Sequence, residues 1–176
     1  MNNSEKIVLV NLDDQIVGCE SKIRVHEEGL LHRAFSVFIL DGTKMLLQRR
    51  NIHKYHSGGL WSNACCSHQR EGELLTDAIH RRLLEELGFD CCLHKIFSFV
   101  YRTTFGNGLT EYELDHVFWG EYRGEISIDL EEASETKWFE FDELKKIMHR
   151  NPELFSNWFI IAAPRVMHIL EEQQNR

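Results

Sequence analysis

Two glutamates separated by one residue, Glu111 and Glu113, are the clearest chemical pair in the sequence. They fall in a segment predicted to be a β-strand, and side chains two residues apart on a strand leave the same face of a sheet. Both carboxylates can therefore reach one cation. Paired acids are also common on solvated strands, so this pair alone is compatible with a metal site or with an exposed face.

Three histidines strengthen the metal interpretation: His26, His32 and His68. Three imidazoles and two carboxylates suit Mn²⁺ or Zn²⁺, and they suit Mg²⁺ less well. His68 is the best candidate of the three because it follows Cys66 by two residues and precedes an acidic helix start. The remaining histidines lack such company and are interpreted as surface or core residues: His53, His56, His80, His94, His116, His149 and His168.

The elements that position these residues begin with a short strand at Ile7–Val10 and a hairpin. Its strands, Ala34–Leu40 and Lys44–Gln48, are joined through Asp41-Gly42. The connection Arg49–Glu71 is rich in Gly, His, Ser and Asn and shows little periodicity. Loops of this length in a compact domain are usually functional.

A helix is predicted over Leu74–Leu87, where apolar residues recur at helical spacing and Gly88 supplies a stop. Its charged residues are also typical of a solvated, salt-bridged face. Pro164 should kink the last helix or divide it in two. The other predicted elements are strands at Lys95–Arg102, Tyr112–Tyr122 and Thr136–Phe141, and helices at Asp142–His149 and Glu153–Glu171. This order predicts the α/β (α+β) class with a mixed sheet.

Length and composition favour one domain, residues 1–176, with a loose tail from Gln173 to Arg176. The formal net charge of -8 argues against non-specific nucleic-acid binding, which needs a basic surface. No run of about 18 apolar residues and no secretory leader is evident. We therefore expect no nucleic-acid or membrane partner, and a monomer or weak homodimer.

Cysteine usage indicates a reducing compartment. Four of the five cysteines form the adjacent pairs Cys65-Cys66 and Cys91-Cys92, which match neither a disulfide framework nor a zinc knuckle. Most of them are expected to be small buried hydrophobes. A cytoplasmic location follows from this pattern.

From Ser67 onward, the segment SHQREGELLTDAIHRRLLEELGF resembles the Nudix box, which holds Mg²⁺ against a diphosphate. The matching residues are Glu73, Arg81, Leu83, Glu85, Glu86, Gly88 and Phe89. Ser67 replaces the opening glycine, and Arg82 replaces a glutamate that hydrolases use in the metal cluster that activates water. A Nudix hydrolase of nucleoside diphosphate derivatives is thus the alternative function, weakened by Arg82.

Motifs outside the box resemble type I isopentenyl diphosphate isomerases, which keep the Nudix fold without hydrolysing their substrate. These motifs are LHRAFS, LLQRR, WSNACCSH, YRT, EYE and SNWF. The resemblance implies a Nudix-like mixed sheet sandwiched between helices. It also implies that isopentenyl and dimethylallyl diphosphate are interconverted, by antarafacial proton addition and removal through a tertiary carbocation, in isoprenoid precursor biosynthesis.

Carried over residue by residue, the resemblance assigns the metal ligands to His26, His32, His68, Glu111 and Glu113. Mn²⁺ or Zn²⁺ would occupy this site, and Mg²⁺ would arrive with the diphosphate, held in part by Glu86. The small-molecule diphosphate would be contacted by Lys22, Arg50, Lys54, Ser67 and Arg82.

The same resemblance makes Cys66 and Glu113 the catalytic pair. Glu113, aided by Tyr101, would act as the acid, and Cys66 as a base whose pKa is lowered by neighbouring positive charge. Trp158 would stabilise the carbocation, although such a residue is otherwise typical of core. Cys65 is expected to be a packing residue. A non-catalytic, metal-stapled binding module is the third function considered, and the cysteine beside the ligands disfavours it.

Overall fold

The structure is a computed structural model that describes residues 5–174. Over this range the chain forms one nine-stranded mixed sheet. The strands are β1 (Lys6–Val10), β2 (Ile16–Ser21), β3 (His32–Asp41), β4 (Lys44–Arg50), β5 (Trp61–Asn63), β6 (Cys65–His68), β7 (His94–Thr104), β8 (Thr110–Glu121) and β9 (Ala133–Glu140). The helices are α1 (Lys22–Glu28), α2 (Leu75–Leu87), α3 (Phe141–Arg150) and α4 (Asn157–Gln174), with a 3₁₀ turn at Pro152–Leu154.

Strand β3 lies at the centre of the functional region. It pairs in parallel with β8, and this register places His32 opposite Glu113. It also pairs antiparallel with β6, where Ser36 lies opposite Cys66. Strands β6 and β8 therefore flank β3 on its two edges, and residues distant in the sequence meet above it.

Helices cover both faces of the sheet, as expected from the sequence. Alternate residues of β3 leave opposite faces of the sheet. Phe35 belongs to a core cluster with Leu83 of α2, whereas Phe38 belongs to a second cluster with Phe159 of α4. Because both faces of β3 are buried, its sequence is almost continuously apolar.

The β3–β4 hairpin and helix α2 confirm their predictions. Gly88 ends α2 in the left-handed region at φ 73°, where glycine has no steric penalty. Of the two predicted effects of Pro164, division of the last helix is wrong, because α4 is continuous from Asn157 to Gln174, and a kink stays a prediction. Proline removes only one helical hydrogen bond, and the surrounding core packing holds α4 together. Of the predicted loose tail, residues 175 and 176 lie outside the described range.

The connection predicted for residues 49–71 is not a loop throughout, because it contains β5 and β6. Both strands are short and largely buried, so they do not show the alternation of apolar and polar residues that predicts a strand. Strand β2 and helix α1 also escaped the sequence analysis. None of the helices in the described range is long and apolar enough to cross a membrane.

Candidate active site

A cavity of about 220 Å³ opens above β3, β6 and β8. Most of the residues singled out from the sequence line it: Lys22, Arg50, Lys54, Cys66, Ser67, His68, Arg82, Tyr101, Glu111, Glu113 and Trp158. His26, His32 and Glu86 do not line the cavity, and all three are buried. The cavity walls are therefore unusually rich in ionisable groups.

Four of the five predicted metal ligands converge on one point. One nitrogen or oxygen from each of His26, His32, His68 and Glu113 lies within 4.8 Å of the others. These residues come from α1, β3, β6 and β8, so the sheet register and the helix after β2 assemble the group. The ring centroids of His32 and His68 are 4.8 Å apart.

Backbone contacts orient two of these imidazoles. The Nδ1 atom of His26 lies 2.6 Å from the carbonyl oxygen of Lys22, and Nδ1 of His32 lies 2.8 Å from that of Leu30. An N–H at Nδ1 donates to each carbonyl and leaves Nε2 with a free lone pair. A hydrogen-bonded second nitrogen of this kind is typical of metal-binding histidines.

The donor set fits a divalent cation. The buried Nε2 atoms of His26 and His32 and the Nδ1 atom of His68 have no hydrogen-bond partner. Burial lowers the pKa of His26 to about 4 and that of His68 well below its usual value. Neutral imidazoles with unpartnered nitrogens are the form that binds metals.

Glu111 lies at the side of this group. Its carboxylate groups with His26 and His56 within the same 4.8 Å limit, rather than with His32 and His68. The hydroxyl of Tyr101 lies 2.9 Å from Oε2 of Glu111 and 2.7 Å from Oε2 of Glu113, so it can donate to either carboxylate. The expected contact between Tyr101 and Glu113 is therefore present.

The expectation of a lowered Cys66 pKa is wrong for the protein without bound ions. Burial raises the pKa of Cys66 to about 12, and the positive charge of Arg50 only partly opposes this shift. The Nη1 atom of Arg50 lies 3.8 Å from the Cys66 sulfur. Glu111 and Glu113 further disfavour a thiolate. Cys65 is fully buried in the core beside α2, as expected for a packing residue.

Glu113 has the opposite tendency. Burial alone would raise its pKa, but the adjacent His32 and His68 outweigh burial and hold the pKa well below its usual value. The Nε2 atom of His68 is 2.9 Å from Oε1 of Glu113. The two shifts favour a Cys66 thiol and a Glu113 carboxylate.

Basic side chains also line the cavity. Arg82 contacts Oε1 of Glu86 at 2.6 Å and Oε1 of Glu132 at 3.1 Å. Lys54 forms an ion pair with the same Glu132 carboxylate. Lys22 is also in the wall, and burial lowers its pKa. These side chains give the cavity groups that can bind an anion.

Trp158 forms part of both the core and the cavity wall. Its Nε1 donates to Oδ1 of Asn63 at 3.0 Å, and the guanidinium of Arg50 lies 5.1 Å from its ring centroid. The ring therefore faces positive charge in the structure.

Sequence reasoning missed some of the cavity residues. His56, interpreted above as a surface or core residue, is buried with Nε2 2.7 Å from Oε1 of Glu111. Its position two residues after Lys54, in a polar connection, was the available signal. Glu5, Arg70 and Glu132 also line the cavity, and no spacing or motif distinguishes them in the sequence.

The sequence is similar to a known domain family and to curated proteins. A model described as NUDIX domain matches residues 30–159. Isopentenyl-diphosphate Delta-isomerase 2 of Aromatoleum aromaticum is 48% identical, over 93% of this chain and 87% of that protein. Isopentenyl-diphosphate Delta-isomerase 2 of Photorhabdus laumondii is 47% identical, over 88% of each.

Solved structures show the same fold at low sequence identity. A Deinococcus radiodurans protein matches with a TM-score of 0.75 and 16% identity, covering 92% of this chain and 98% of that chain. The MutT protein from Methanosarcina mazei matches with a TM-score of 0.63 and 16% identity, covering 83% and 96%.

Proposed function

The chain belongs to the isopentenyl-diphosphate Delta-isomerases within the NUDIX domain family, and we propose that Cys66 and Glu113 move the two protons of its reaction. It is an isomerase that interconverts isopentenyl and dimethylallyl diphosphate. One observation carries the assignment. Glu113 belongs to the histidine group, contacts Tyr101, and lines the same cavity as the only thiol there within residues 5–174.

The sheet topology supports proton transfer on two sides of the substrate. Cys66 and Glu113 belong to the strands on opposite edges of β3. With neighbouring strands about 4.8 Å apart, these two strands are separated by about 10 Å, and the register offsets the two residues by four positions of β3, from Ser36 to His32. A five-carbon chain lying above β3 would have one group on each side, as antarafacial addition and removal require.

In the direction from isopentenyl to dimethylallyl diphosphate, the Glu113 carboxyl group gives a proton to the terminal methylene carbon. The electrons of the double bond form the new C–H bond and leave a tertiary carbocation. The Cys66 thiolate then removes a proton from the CH₂ group between the cation and the diphosphate-bearing carbon. The electrons of that C–H bond become the internal double bond.

This sequence ends with a Cys66 thiol and a Glu113 carboxylate, the state that the two pKa shifts favour. By microscopic reversibility, the same state begins the reverse reaction. A proton must return from Cys66 to Glu113 before another forward turnover. Tyr101, which contacts Glu113, is placed to stabilise either form of that carboxyl group.

The cation would be held by His26, His32, His68, Glu111 and Glu113. Its positive charge would stabilise the carboxylate form of Glu113 and so make the Glu113 carboxyl group a stronger acid. We propose Mn²⁺ or Zn²⁺ for this donor set. We also propose that Mg²⁺ enters with the diphosphate near Glu86. The remaining steps depend on the protein: Trp158 faces the carbocation, and the walls exclude water.

Lys22, Arg50, Lys54, Ser67 and Arg82 are proposed to hold the diphosphate. Their cations lie in one cavity, which overrides the net charge of -8 for an anionic ligand. We further propose a monomer or weak homodimer. The five free thiols are consistent with the proposed cytoplasmic location.

Incubation with isopentenyl diphosphate and Mn²⁺ or Mg²⁺ in deuterated water, followed by NMR, tests the proposal. We expect deuterium-labelled dimethylallyl diphosphate. Cys66→Ala should abolish labelling, and the adjacent Cys65→Ala should largely preserve it. Release of inorganic phosphate without labelled product would refute isomerisation, and the opposite cysteine pattern would refute the role of Cys66.

A further inference from the structure

His56 occupies a closed position beside the proposed metal centre. Its ring stacks on Phe105 with centroids 4.6 Å apart and planes inclined by 8°. The edge of Trp158 approaches from another side at 5.9 Å. The backbone of the preceding Tyr55 accepts a hydrogen bond from the Asn107 side chain at 2.8 Å. The β7–β8 turn therefore fixes the imidazole in place.

The Nε2 atom of His56 has no hydrogen-bond partner, although Oε1 of Glu111 lies only 2.7 Å away. The side chain of His56 is 2% exposed, so bulk solvent does not reach it. Two electron-rich atoms at this distance repel each other unless a proton or a cation lies beside them. Adjacent donors on a metal with bonds of about 2.1 Å lie about 3 Å apart at a right angle. An N–H at Nε2 or a cation shared with Glu111 would satisfy this contact, and the two cases differ in whether His56 binds a metal.

His26 connects His56 to the main group of ligands. One ligand atom from each of His26, His56 and Glu111 lies within 4.8 Å of the others, and His26 also belongs to the group with His32, His68 and Glu113. The Nδ1 atom of His26 is engaged with the Lys22 carbonyl oxygen. Only Nε2 is left, and one nitrogen lone pair binds one ion. The two groups therefore adjoin at His26.

We propose that His56 is a sixth protein donor to this ion, bound through Nε2 next to Glu111. The inference rests on the metal centre of the proposed function and extends its ligand set by a fourth imidazole. The loop that carries Lys54 would thereby be tied to the metal through His56. Loss of the metal would loosen the residue that contacts the diphosphate.

Cobalt substitution tests the donor count directly. A histidine bound to Co²⁺ through one nitrogen keeps an N–H on the other, which gives a strongly shifted, solvent-exchangeable proton signal. We expect four such signals from the wild-type protein, for His26, His32, His56 and His68. His56→Phe should remove one signal while retaining the stacking on Phe105. His53→Phe, an exposed histidine of the same loop, is the matched control and should change nothing.

Titration with Mn²⁺ supplies a second measurement. The dissociation constant of His56→Phe should rise by at least about tenfold, the usual effect of losing a group that supports a metal site. If the His56→Phe protein does not fold, His56→Leu replaces it, because leucine also lacks a metal-binding nitrogen and the same rise is expected. Three signals from the wild-type protein, or unchanged Mn²⁺ affinity in a folded variant, would overturn the role of His56. Failure of the wild-type protein to bind either ion would instead overturn the metal centre itself.

Discussion

Replacement of Tyr101 by phenylalanine removes the hydroxyl group that lies 2.9 Å from Glu111 and 2.7 Å from Glu113. The ring is retained, so the core packing around it is preserved. A hydrogen bond to a charged group contributes about 1.5–3 kcal/mol. If that energy supports the transition state, kcat should fall by about 10- to 150-fold, since each 1.4 kcal/mol is about a factor of ten.

Steady-state kinetics with isopentenyl diphosphate can separate this effect from binding. Other side chains are proposed to bind the diphosphate, so KM should change by less than about threefold while kcat falls. Tyr112→Phe is the matched control. Tyr112 lies between the two glutamates but contacts Arg102 on the opposite face of β8, and its replacement should leave kcat unchanged.

A kcat within about twofold of wild type would refute the proposed support of Glu113 by Tyr101, because the expected loss is at least about tenfold. An effect confined to KM would refute it equally. Thermal unfolding of the variant and the measured Mn²⁺ content control for misfolding and metal loss. A Tyr101→Phe protein with normal Mn²⁺ content, normal stability and normal kcat would contradict the role assigned to Tyr101.

The other predictions follow from local contacts. Arg82→Ala should raise KM for the diphosphate by more than about tenfold, which steady-state kinetics can measure. It should also destabilise the protein, because the buried Glu86 carboxylate loses its ion-pair partner, and thermal unfolding can measure this loss. Glu73→Gln should lower the free energy of unfolding by about 1–3 kcal/mol with kcat unchanged, since Glu73 accepts two hydrogen bonds from Arg81. Urea unfolding measures this change. Lost activity at normal stability would contradict a structural role for Glu73. In metal-free protein, the lowered pKa of His26 means that, as the pH falls, the unfolded state takes up a proton on His26 before the folded state does. The folded state therefore keeps its full stability above pH 6.5 and loses part of it progressively down to about pH 4. His26 should account for about 3 kcal/mol of this loss. Because the pKa of His68 is lowered as well, His26→Gln should reduce the loss by that amount and not abolish it, as pH-dependent unfolding can determine.

The expected site depended on features that are local in the sequence. Glu111 and Glu113 share a face because a strand alternates with a period of two, and the structure places both carboxylates against Tyr101. Helix α2 was predicted from apolar periodicity and Gly88, and it ends there. The motifs WSNACCSH and EYE suggested the family that the comparisons then established.

The tertiary structure decided which groups meet and how they ionise. The parallel register of β3 and β8 brings His32 to Glu113, and no local pattern encodes a pairing between such distant segments. The raised pKa of Cys66 follows from burial, which depends on packing by the whole fold. His56 looked like an unremarkable loop histidine in the sequence. Only the docking of its loop on the β7–β8 turn brings its unpartnered nitrogen beside Glu111.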